Sequence, residues 1–376
     1  MLRDPRNPAS PLRHVDGLLV GAIVAISGLG LLMVYSATRN QQTVTGGTFG
    51  TNYYVTRQAV FIGIGILLMI GVALVDYRYL QDVAPILYVG TVFVLLVVLT
   101  PLGSSARGAQ AWFEVGGFQL EPSEFAKITF IVAISAYCAM HRSDLDSSRF
   151  MWVLALAAVP MVLIYRQPDL GTDLVFAGIL IAMLLVGGAR PRHLAVLGVI
   201  SVLLIVTIFQ LGVLKRYQVD RLAAFLDPQG DVQRTTYNLR QSQIAIAAGG
   251  FTGRGLFKGS QTNLSFVPEQ HTDFIFTAVA EEFGLMGALT LLALFGLVVW
   301  RTWRAAVLAK DRFGTLLCVG ILAMIVFQIF ENVGMTMGMT PIAGIPLPFM
   351  SYGGSATLGA FVGLGLVLNV HMRRFA

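Results

Sequence analysis

The chain contains 376 residues, of which 56% are hydrophobic and only 12% carry charge. Soluble domains carry about 25% charged residues, so this composition excludes a soluble globular enzyme. Lysine and arginine (26) exceed aspartate and glutamate (20), which gives a formal net charge of +6. The chain is therefore expected to lie largely within a lipid bilayer.

The apolar runs predict an all-α, polytopic membrane protein with ten transmembrane helices, because a spanning helix needs about 20 mostly apolar residues. The predicted spans cover residues 17–37, 58–75, 83–102, 124–140, 150–166, 171–188, 194–213, 274–300, 314–334 and 354–371. Residues 1–16 form a polar N-terminal tail, and residues 214–272 form one large loop between spans 7 and 8. Residues 1–376 together are interpreted as a single membrane domain.

Basic residues are retained on the cytoplasmic side of a membrane, so their distribution predicts the orientation of the chain. Fourteen of them lie in the tails and connections on one side, whereas the short connections on the other side hold four. Both termini are therefore expected to be cytoplasmic. The large loop then faces outward with seven basic residues, which is compatible with this orientation because long loops translocate largely regardless of charge.

Ionisable residues at or inside the spans are functional candidates, because they are costly in a bilayer. Glu124 and Lys127, in the sequence EPSEFAKI, are spaced to share one helix face. They predict either a structural ion pair or contact with a substrate, and both interpretations can hold together. Asp169 and Asp173, in QPDLGTD, could bind a cation or act as an acid and base pair; the alternative is that Asp169 is a helix N-cap.

The large loop contains Arg216, Arg221, Arg254 and Lys258. Its glycine-rich run GGFTGRGLFKG lacks the Gly-Lys-Ser/Thr ending of a P-loop, so no nucleotide site is predicted. Arg254 and Lys258 predict either a surface that contacts phosphate or a solvated turn. Nucleic-acid binding is not predicted, because these basic residues face outward and belong to no recognisable nucleic-acid module.

Glu269, His271 and Asp273 lie together before the eighth span, in PEQHTDFIFTAVAEEFG. A carboxylate at the mouth of a span can accept a proton from a hydroxyl group. The alternative is that Thr272 or Asp273 is an ordinary N-cap. Glu281 follows Asp273 by about two helical turns on a similar face, inside an otherwise apolar helix, and is therefore also a functional candidate.

Residues 335–353 contain too many glycine and proline residues for a regular span. Irregular backbone at membrane depth must line a cavity or pack within protein. The segment is therefore expected to be an outward-facing loop or re-entrant element that closes the site, where Ser351 either lines the cavity or satisfies backbone groups. The five histidines lack the spacing of a zinc helix, and no metal site is predicted.

Several motifs resemble those of the SEDS (shape, elongation, division and sporulation) family. They are YQVDRLAAFLDPQGD, QSQIAIAAGGFTGRGL, FVPEQHTDFIFTAVAEEFG and NVGMTMGMTPIAGIPLPFMSYGGS, with EPSEFAKI and QPDLGT in the expected order. The resemblance covers essentially the whole chain. The forms GIPLPFMSYGGS and GSQTNLSFVPEQHTDFIF are more similar to the elongation branch, RodA, than to the division branch, FtsW.

The resemblance implies a peptidoglycan glycosyltransferase that acts in cell elongation and cell-shape maintenance. Its substrate would be lipid II, an undecaprenyl-pyrophosphate-linked disaccharide pentapeptide, polymerised at the outer face of the bacterial cytoplasmic membrane. The resemblance also implies that Asp273 is an essential aspartate of the family. Glu124, Lys127, Asp169 and Arg221 match further positions of the family motifs.

The predicted mechanism is a displacement in which a sugar 4-hydroxyl of the acceptor lipid II attacks the anomeric carbon of the growing chain. Asp273 acts as general base, and undecaprenyl pyrophosphate leaves. The cations predicted to stabilise the leaving group are Lys127, Arg216, Arg221, Arg254 and Lys258. Further substrate contacts are predicted for Glu124, Asp169, His271, Glu281 and Ser351. No cofactor is evident, and participation of a divalent cation such as Mg²⁺ is left open.

The length leaves no room for a soluble transpeptidase domain, so cross-linking is expected from a class B penicillin-binding protein. Other membrane proteins of the elongation complex are further expected partners. Two other functions are compatible with the sequence. A lipid II flippase would move its substrate from the inner face of the membrane, and a non-catalytic scaffold for the penicillin-binding protein would not need Asp273.

Overall fold

The computed structural model describes residues 11–40, 52–106, 109–141, 145–210 and 233–375, together with positions 212, 219, 221 and 225. After a 3₁₀ turn at Pro11–His14, the helices are α1 (Gly17–Thr38), α2 (Tyr53–Leu74), α3 (Tyr79–Val98), α4 (Pro122–Met140), α5 (Ser147–Arg166), α6 (Leu170–Val186), α7 (Pro191–Gln210), α8 (Gln233–Gly249), α9 (Ser260–Asn263), α10 (Ile275–Val307), α11 (Arg312–Met337) and α12 (Gly354–Met372). Three short strands, β1 (Ser104–Ala106), β2 (Ala109–Val115) and β3 (Phe118–Leu120), lie between α3 and α4.

Eight helices in the described part of the chain are long and apolar enough to cross a membrane, namely α1 to α5 and α10 to α12. The chain is thus a multi-pass membrane protein. The predicted spans 171–188 and 194–213 correspond to α6 and α7, whose apolar stretches are shorter, Leu170–Val186 and Pro191–Leu203. The total of ten spans therefore stays a prediction.

Side-chain caps explain where several helices begin. Asp16, Asp146, Asp169 and Asp311 precede α1, α5, α6 and α11, and each carboxylate accepts a hydrogen bond of 2.7–3.1 Å from the backbone N–H three residues later. Such a cap satisfies one of the N–H groups that a helix leaves unpaired at its start. Pro122 opens α4 at a position where its missing N–H costs nothing.

The interior of the bundle is formed by α4, α11 and α12. In the most apolar stretch of each, 72%, 56% and 83% of the residues are buried, against 22% in α2 and 17% in α3. Helix α11 packs against α4, α6, α10 and α12, while α2 packs on α12 and α3 on α4. The outer helices thus present apolar side chains to the bilayer, and the inner helices position the polar groups between them.

The three strands form an antiparallel sheet in the order β1-β2-β3. The prediction of an all-α chain is therefore incomplete, although the molecule is mostly helical. The turn between β2 and β3 contains Gly116 and Gly117, both with positive φ (58° and 79°), a conformation that hairpin turns require. The sheet was missed because its strands are short and lie in a connection between two apolar runs.

The predicted irregular element at 335–353 begins slightly later than expected, because α11 continues to Met337. Helix α11 ends at Gly338, whose φ of 77° provides the left-handed C-cap. The following residues up to Gly353 form no helix or strand and fold back against the bundle. Asn332 of α11 donates 2.8 Å hydrogen bonds to the carbonyl oxygens of both Asp273 and Ile345, and so links this segment to the start of α10.

Helix α10 is interrupted at Gly284, which has φ 66° and ψ −161°. After the break, the N–H groups of Leu285 and Met286 donate to the carbonyl oxygens of residues 250 and 251. Before it, the carbonyl oxygens of Glu281 and Glu282 accept from the N–H groups of residues 254 and 255. All four bonds are 2.9–3.2 Å long. These are the groups that would pair with each other in a continuous helix. Part of the large loop therefore completes the hydrogen bonding of α10.

Candidate active site

A cavity of about 960 Å³ lies where the N-terminal ends of α2, α4, α6 and α12 meet the segment before α10. The β-sheet and residues 343–346 complete its wall. Helix N-termini carry positive partial charge and unpaired N–H groups, so their convergence favours an anionic ligand. The predicted site residues that line this cavity are Glu124, Lys127, Asp169, Arg221, His271 and Asp273.

Asp273 and Arg221 come together beside residues 343 and 344. A Cβ atom at Gly344 would lie 3.5 Å from Oδ2 of Asp273 and 4.0 Å from Nη2 of Arg221. Nη1 of Arg221 donates to the carbonyl oxygen of Ala343 at 3.2 Å. A carboxylate and a guanidinium therefore share one patch of the cavity wall, where an acceptor of protons and a stabiliser of negative charge are both available.

Asp273 does not cap α10, which begins after Phe274 and has no side-chain cap. Its backbone is held instead, because its N–H donates to the carbonyl oxygen of Glu269 at 3.0 Å and its carbonyl oxygen accepts from Asn332 at 2.8 Å. The interpretation of Asp273 as an ordinary N-cap is therefore wrong. The carboxylate itself lies in the cavity wall.

Glu124 and Lys127 form a buried ion pair, with 2.7 Å between Oε1 and Nζ. Their exposed fractions are 5% and 1%, and both line the cavity. The structural and the substrate-contacting interpretations of this pair therefore hold together geometrically. A charge pair withdrawn from water in this way is strongly coupled, since neither partner can be lost without leaving the other uncompensated.

The structure confirms the N-cap interpretation of Asp169 and also brings this residue to the cavity. Its carboxylate caps α6 by accepting from the N–H of Thr172 at 3.1 Å, and the residue lines the cavity. Asp173 does not line the cavity, so the structure does not form an acid and base pair from these two aspartates there.

His271 belongs to an aromatic group at the cavity. Its ring centroid lies 4.7 Å from that of Tyr54 and 5.6 Å from that of Tyr352, whose own rings are 5.1 Å apart. The carbonyl oxygen of His271 accepts from the N–H of Tyr352 at 2.8 Å. The rings are tilted or edge-on to one another and line the cavity with apolar surface and polar tips, so His271 keeps its place among the candidate substrate contacts.

The structure places four predicted site residues elsewhere. Arg254 and Lys258 are exposed on the loop after α8, where Nε of Arg254 donates to the carbonyl oxygen of Ala248 at 3.1 Å. Ser351 is buried, and its hydroxyl accepts from the N–H of Leu347 at 2.9 Å, which is the backbone-satisfying alternative. Arg216, also predicted to bind substrate, lies outside the described residues.

Glu281 is the fourth residue, and the structure gives it another partner. Its fully buried carboxylate accepts hydrogen bonds from the N–H of Gln261 (2.8 Å) and from the N–H and hydroxyl of Thr262 (2.9 and 2.7 Å). These groups belong to α9, whose start the carboxylate thereby caps. Glu281 does not reach the cavity, although helical spacing predicted a face shared with Asp273. The loop that folds over Glu281 supplies the hydrogen-bond donors to its carboxylate.

Several residues that were not proposed from the sequence also line the cavity, among them Glu121 and Arg57. Glu121 accepts from Nε1 of Trp112 (3.2 Å) and from the hydroxyl of Ser123 (2.7 Å). Burial, followed by repulsion from the nearby carboxylates of Glu124 and Asp169, raises the pKa of Glu121 to about 8. Its position just before the EPSE proline was an available signal.

Arg57 projects from the first turn of α2 into the cavity wall. Its guanidinium lies 4.8 Å from the ring centroid of Tyr53 and 4.5 Å from that of Phe118, and it donates to the carbonyl oxygen of Gly117. From the sequence, Arg57 is one of the four basic residues in the short outer connections and has no other distinguishing feature. Together with Lys127 and Arg221, it makes the cavity wall cationic as well as acidic.

Within the described ranges, no group of three or more His, Cys, Asp or Glu side chains is arranged to hold a metal ion. In the cavity, the carboxylates of Glu124, Asp169 and Glu121 bond instead to a lysine, a helix N-terminus and an indole N–H, respectively.

Comparison with known proteins assigns the family. The family model for FtsW, RodA and SpoVE, described as cell cycle protein, matches residues 17–375. The chain belongs to this family.

Individual members agree with this assignment. The probable peptidoglycan glycosyltransferase FtsW of Geobacter metallireducens is 35% identical, with 96% of each chain covered. A chain solved in a peptidoglycan synthase complex that coordinates polymerization and crosslinking is 31% identical, with a TM-score of 0.80 over 96% of this chain and 98% of that one. The rod shape determining protein RodA of Thermus thermophilus is 28% identical, with a TM-score of 0.70 over 96% and 98%. The fold is therefore RodA-like.

Proposed function

We propose that this chain is a peptidoglycan glycosyltransferase that polymerises lipid II into glycan strands during cell elongation and cell-shape maintenance. The observation that carries the proposal is the placement of Asp273 beside Arg221 in a cavity where several helix N-termini converge. Family membership and the activity named for the Geobacter relative support the same reaction. The Thermus neighbour, named for rod shape, supports the assignment to elongation.

In the proposed reaction, the 4-hydroxyl of the acceptor sugar gives its proton to Asp273 as its oxygen bonds to the anomeric carbon of the donor. The bond between that carbon and the pyrophosphate oxygen breaks, and undecaprenyl pyrophosphate leaves. Arg57, Lys127 and Arg221 line the cavity, and they replace Arg254 and Lys258 as the groups that stabilise the leaving charge. Positioned acid–base groups of this kind contribute about 10²- to 10⁴-fold to a rate.

The proposal includes an orientation and a partner. With α6 and α7 as spans beside the eight longer helices, the proposed chain crosses the membrane ten times. Both termini then lie in the cytoplasm, and the cavity lies at the outer face of the bacterial cytoplasmic membrane. Lipid II and the pyrophosphate product are anionic, which matches the helix N-termini and cations of the cavity. Similarity to a chain from a synthase complex supports a class B penicillin-binding protein as the cross-linking partner, alongside other elongation-complex proteins.

The test is polymerisation of purified lipid II by the purified chain, with and without its cognate penicillin-binding protein. Asp273→Asn is expected to lower the rate at least 10²-fold while leaving the elution volume and unfolding midpoint unchanged, because Asn332 holds the backbone of residue 273 and not its side chain. Asp82→Asn, which alters an exposed aspartate at the start of α3, is the matched control and should polymerise normally.

Two results would reject this function. Full polymerisation by the Asp273→Asn variant would exclude Asp273 as the base and favour a scaffold. Failure of the unaltered chain to polymerise, combined with transfer of lipid II across vesicle membranes, would favour a flippase. Omitting or adding Mg²⁺ in the same assay determines whether the reaction depends on a divalent cation.

A further inference from the structure

A second group of charged residues lies at the end of the bundle opposite the 960 Å³ cavity. Asp273 comes just before α10, whereas Arg301 and Arg304 lie close to its end, and a helix of this length extends about 50 Å. Residues from the start of α1 and the end of α12 meet α10 at the same place. Nothing in the proposed reaction uses these residues.

Two adjoining hollows occupy this end of the bundle. One, of about 460 Å³, is lined by Arg13, Asp16, Arg301, His371 and Arg374, among others. The other, of about 340 Å³, shares Arg301, His371 and Arg374 with it and adds Arg304. Together they form an open basic groove, which we call the arginine groove.

The charge of the arginine groove is strongly unbalanced. Among its described lining residues, four arginines face a single carboxylate, that of Asp16. This carboxylate already caps α1, and it pairs with Nη2 of Arg301 at 2.6 Å. The charges of Arg13, Arg304 and Arg374 are therefore not balanced within the groove, and guanidinium groups are well suited to phosphate oxygens.

Aromatic side chains frame the arginine groove. The guanidinium groups of Arg301 and Arg304 lie 5.3 and 5.8 Å from the ring centroid of Trp300, and that of Arg374 lies 4.7 Å from that of Phe375. The exposed fractions of Trp300 and Phe375 are 44% and 63%. Exposed tryptophan beside arginine at the end of a spanning helix is typical of the headgroup layer of a membrane.

We infer that the arginine groove binds the phosphate of an anionic phospholipid, with phosphatidylglycerol as the simplest such headgroup. The arginines would contact the phosphate oxygens, and the exposed aromatic rings would lie at the depth of the glycerol backbone. A free phosphate offers the same oxygens but has no apolar part to contact Trp300 and Phe375. In the proposed orientation, the groove lies at the cytoplasmic leaflet, away from the proposed polymerisation reaction.

The test uses the full-length chain in nanodiscs of phosphatidylcholine containing phosphatidylglycerol, with retained lipids counted by native mass spectrometry. We expect the unaltered chain to retain phosphatidylglycerol in preference to phosphatidylcholine. The double variant Arg304→Gln/Arg374→Gln should lose about 25-fold in this preference, because each arginine near a phosphate contributes roughly fivefold. Asp16 and Arg301 are left intact in this variant, so the start of α1 keeps its cap.

The charge-matched control is Arg78→Gln/Arg149→Gln, which removes two partly exposed arginines outside the groove and should retain the preference. The inference is overturned if the Arg304/Arg374 double variant retains phosphatidylglycerol like the unaltered chain, or if the control loses it equally. It is also overturned if inorganic phosphate alone binds the unaltered chain in pure phosphatidylcholine nanodiscs and the double variant does not bind it. Polymerisation is not the readout, so the result is independent of the proposed function.

Discussion

The buried pair of Glu124 and Lys127 allows folding and substrate contact to be separated experimentally. Replacing Lys127 by Met keeps most of the side-chain volume but leaves the carboxylate of Glu124, which is 5% exposed, without its 2.7 Å partner. Breaking a buried pair in this way costs about 3–5 kcal/mol. Replacing both residues by Met removes the uncompensated charge, and apolar replacement of a whole buried pair is often neutral.

The assay is unfolding of the purified chain by SDS in mixed micelles, followed by polymerisation of lipid II. Lys127→Met alone should lose about 3–5 kcal/mol of stability, and Glu124→Met/Lys127→Met should recover to within about 1 kcal/mol of the unaltered chain. The double variant should nevertheless polymerise at least 10²-fold more slowly, because a cation at the cavity wall is gone. Lys310→Met, at an exposed lysine outside the cavity, is the control.

Two outcomes would contradict this prediction, one for the coupling of the buried pair and one for its contact with substrate. If Lys127→Met unfolds at the same SDS concentration as the unaltered chain, the pair is not coupled as its burial indicates. If the double variant is stable and polymerises at the normal rate, the pair is structural and makes no contact that the reaction needs.

Two further predictions concern the cavity wall. Gly344 has φ 76°, so Gly344→Ala should lower the free energy of unfolding by about 1–2 kcal/mol. It should also slow polymerisation about tenfold, because residue 344 would move relative to Asp273. Gly90→Ala in α3, where a new Cβ meets no atom within 4 Å, is the control and should have neither effect. Burial raises the pKa of Glu121 from 4.5 to about 8, so the folded chain holds a proton that the unfolded chain has released, and stability should fall as pH rises between these values. SDS unfolding at several pH values should show this fall in stability with pH, and Glu121→Gln should remove it. If stability falls equally in the Glu121→Gln variant, another group causes the pH dependence.

The sequence predicted well those features that depend on local pattern. Apolar runs located the spanning helices, Asp169 was predicted as the N-cap that it is, and the spacing of Glu124 and Lys127 predicted their pairing. Each of these needs only neighbours within one helical turn. The resemblance to the family motifs singled out Asp273 among several carboxylates, which spacing alone did not do, and its catalytic role stays a prediction.

The remaining features depend on contacts between distant parts of the chain. The position of Arg221 beside Asp273 is set by residues 343 and 344, more than 100 positions along the chain from Arg221. Helical periodicity placed Glu281 on a face shared with Asp273 but could not show that the loop before α10 folds over it. The sequence could not show the environment of Glu121, because this environment arises from three elements that meet only in the folded chain.

The interruption of α10 at Gly284 makes the large loop a mechanical part of that helix. Four backbone groups that would form two hydrogen bonds between the halves of a continuous helix pair instead with residues 250, 251, 254 and 255. The loop is therefore hydrogen-bonded to both halves of α10, to the first through the carbonyl oxygens of Glu281 and Glu282 and to the second through the N–H groups of Leu285 and Met286. A displacement of residues 250–255 from outside the bundle would therefore reach both halves of the helix, including the half that starts next to Asp273.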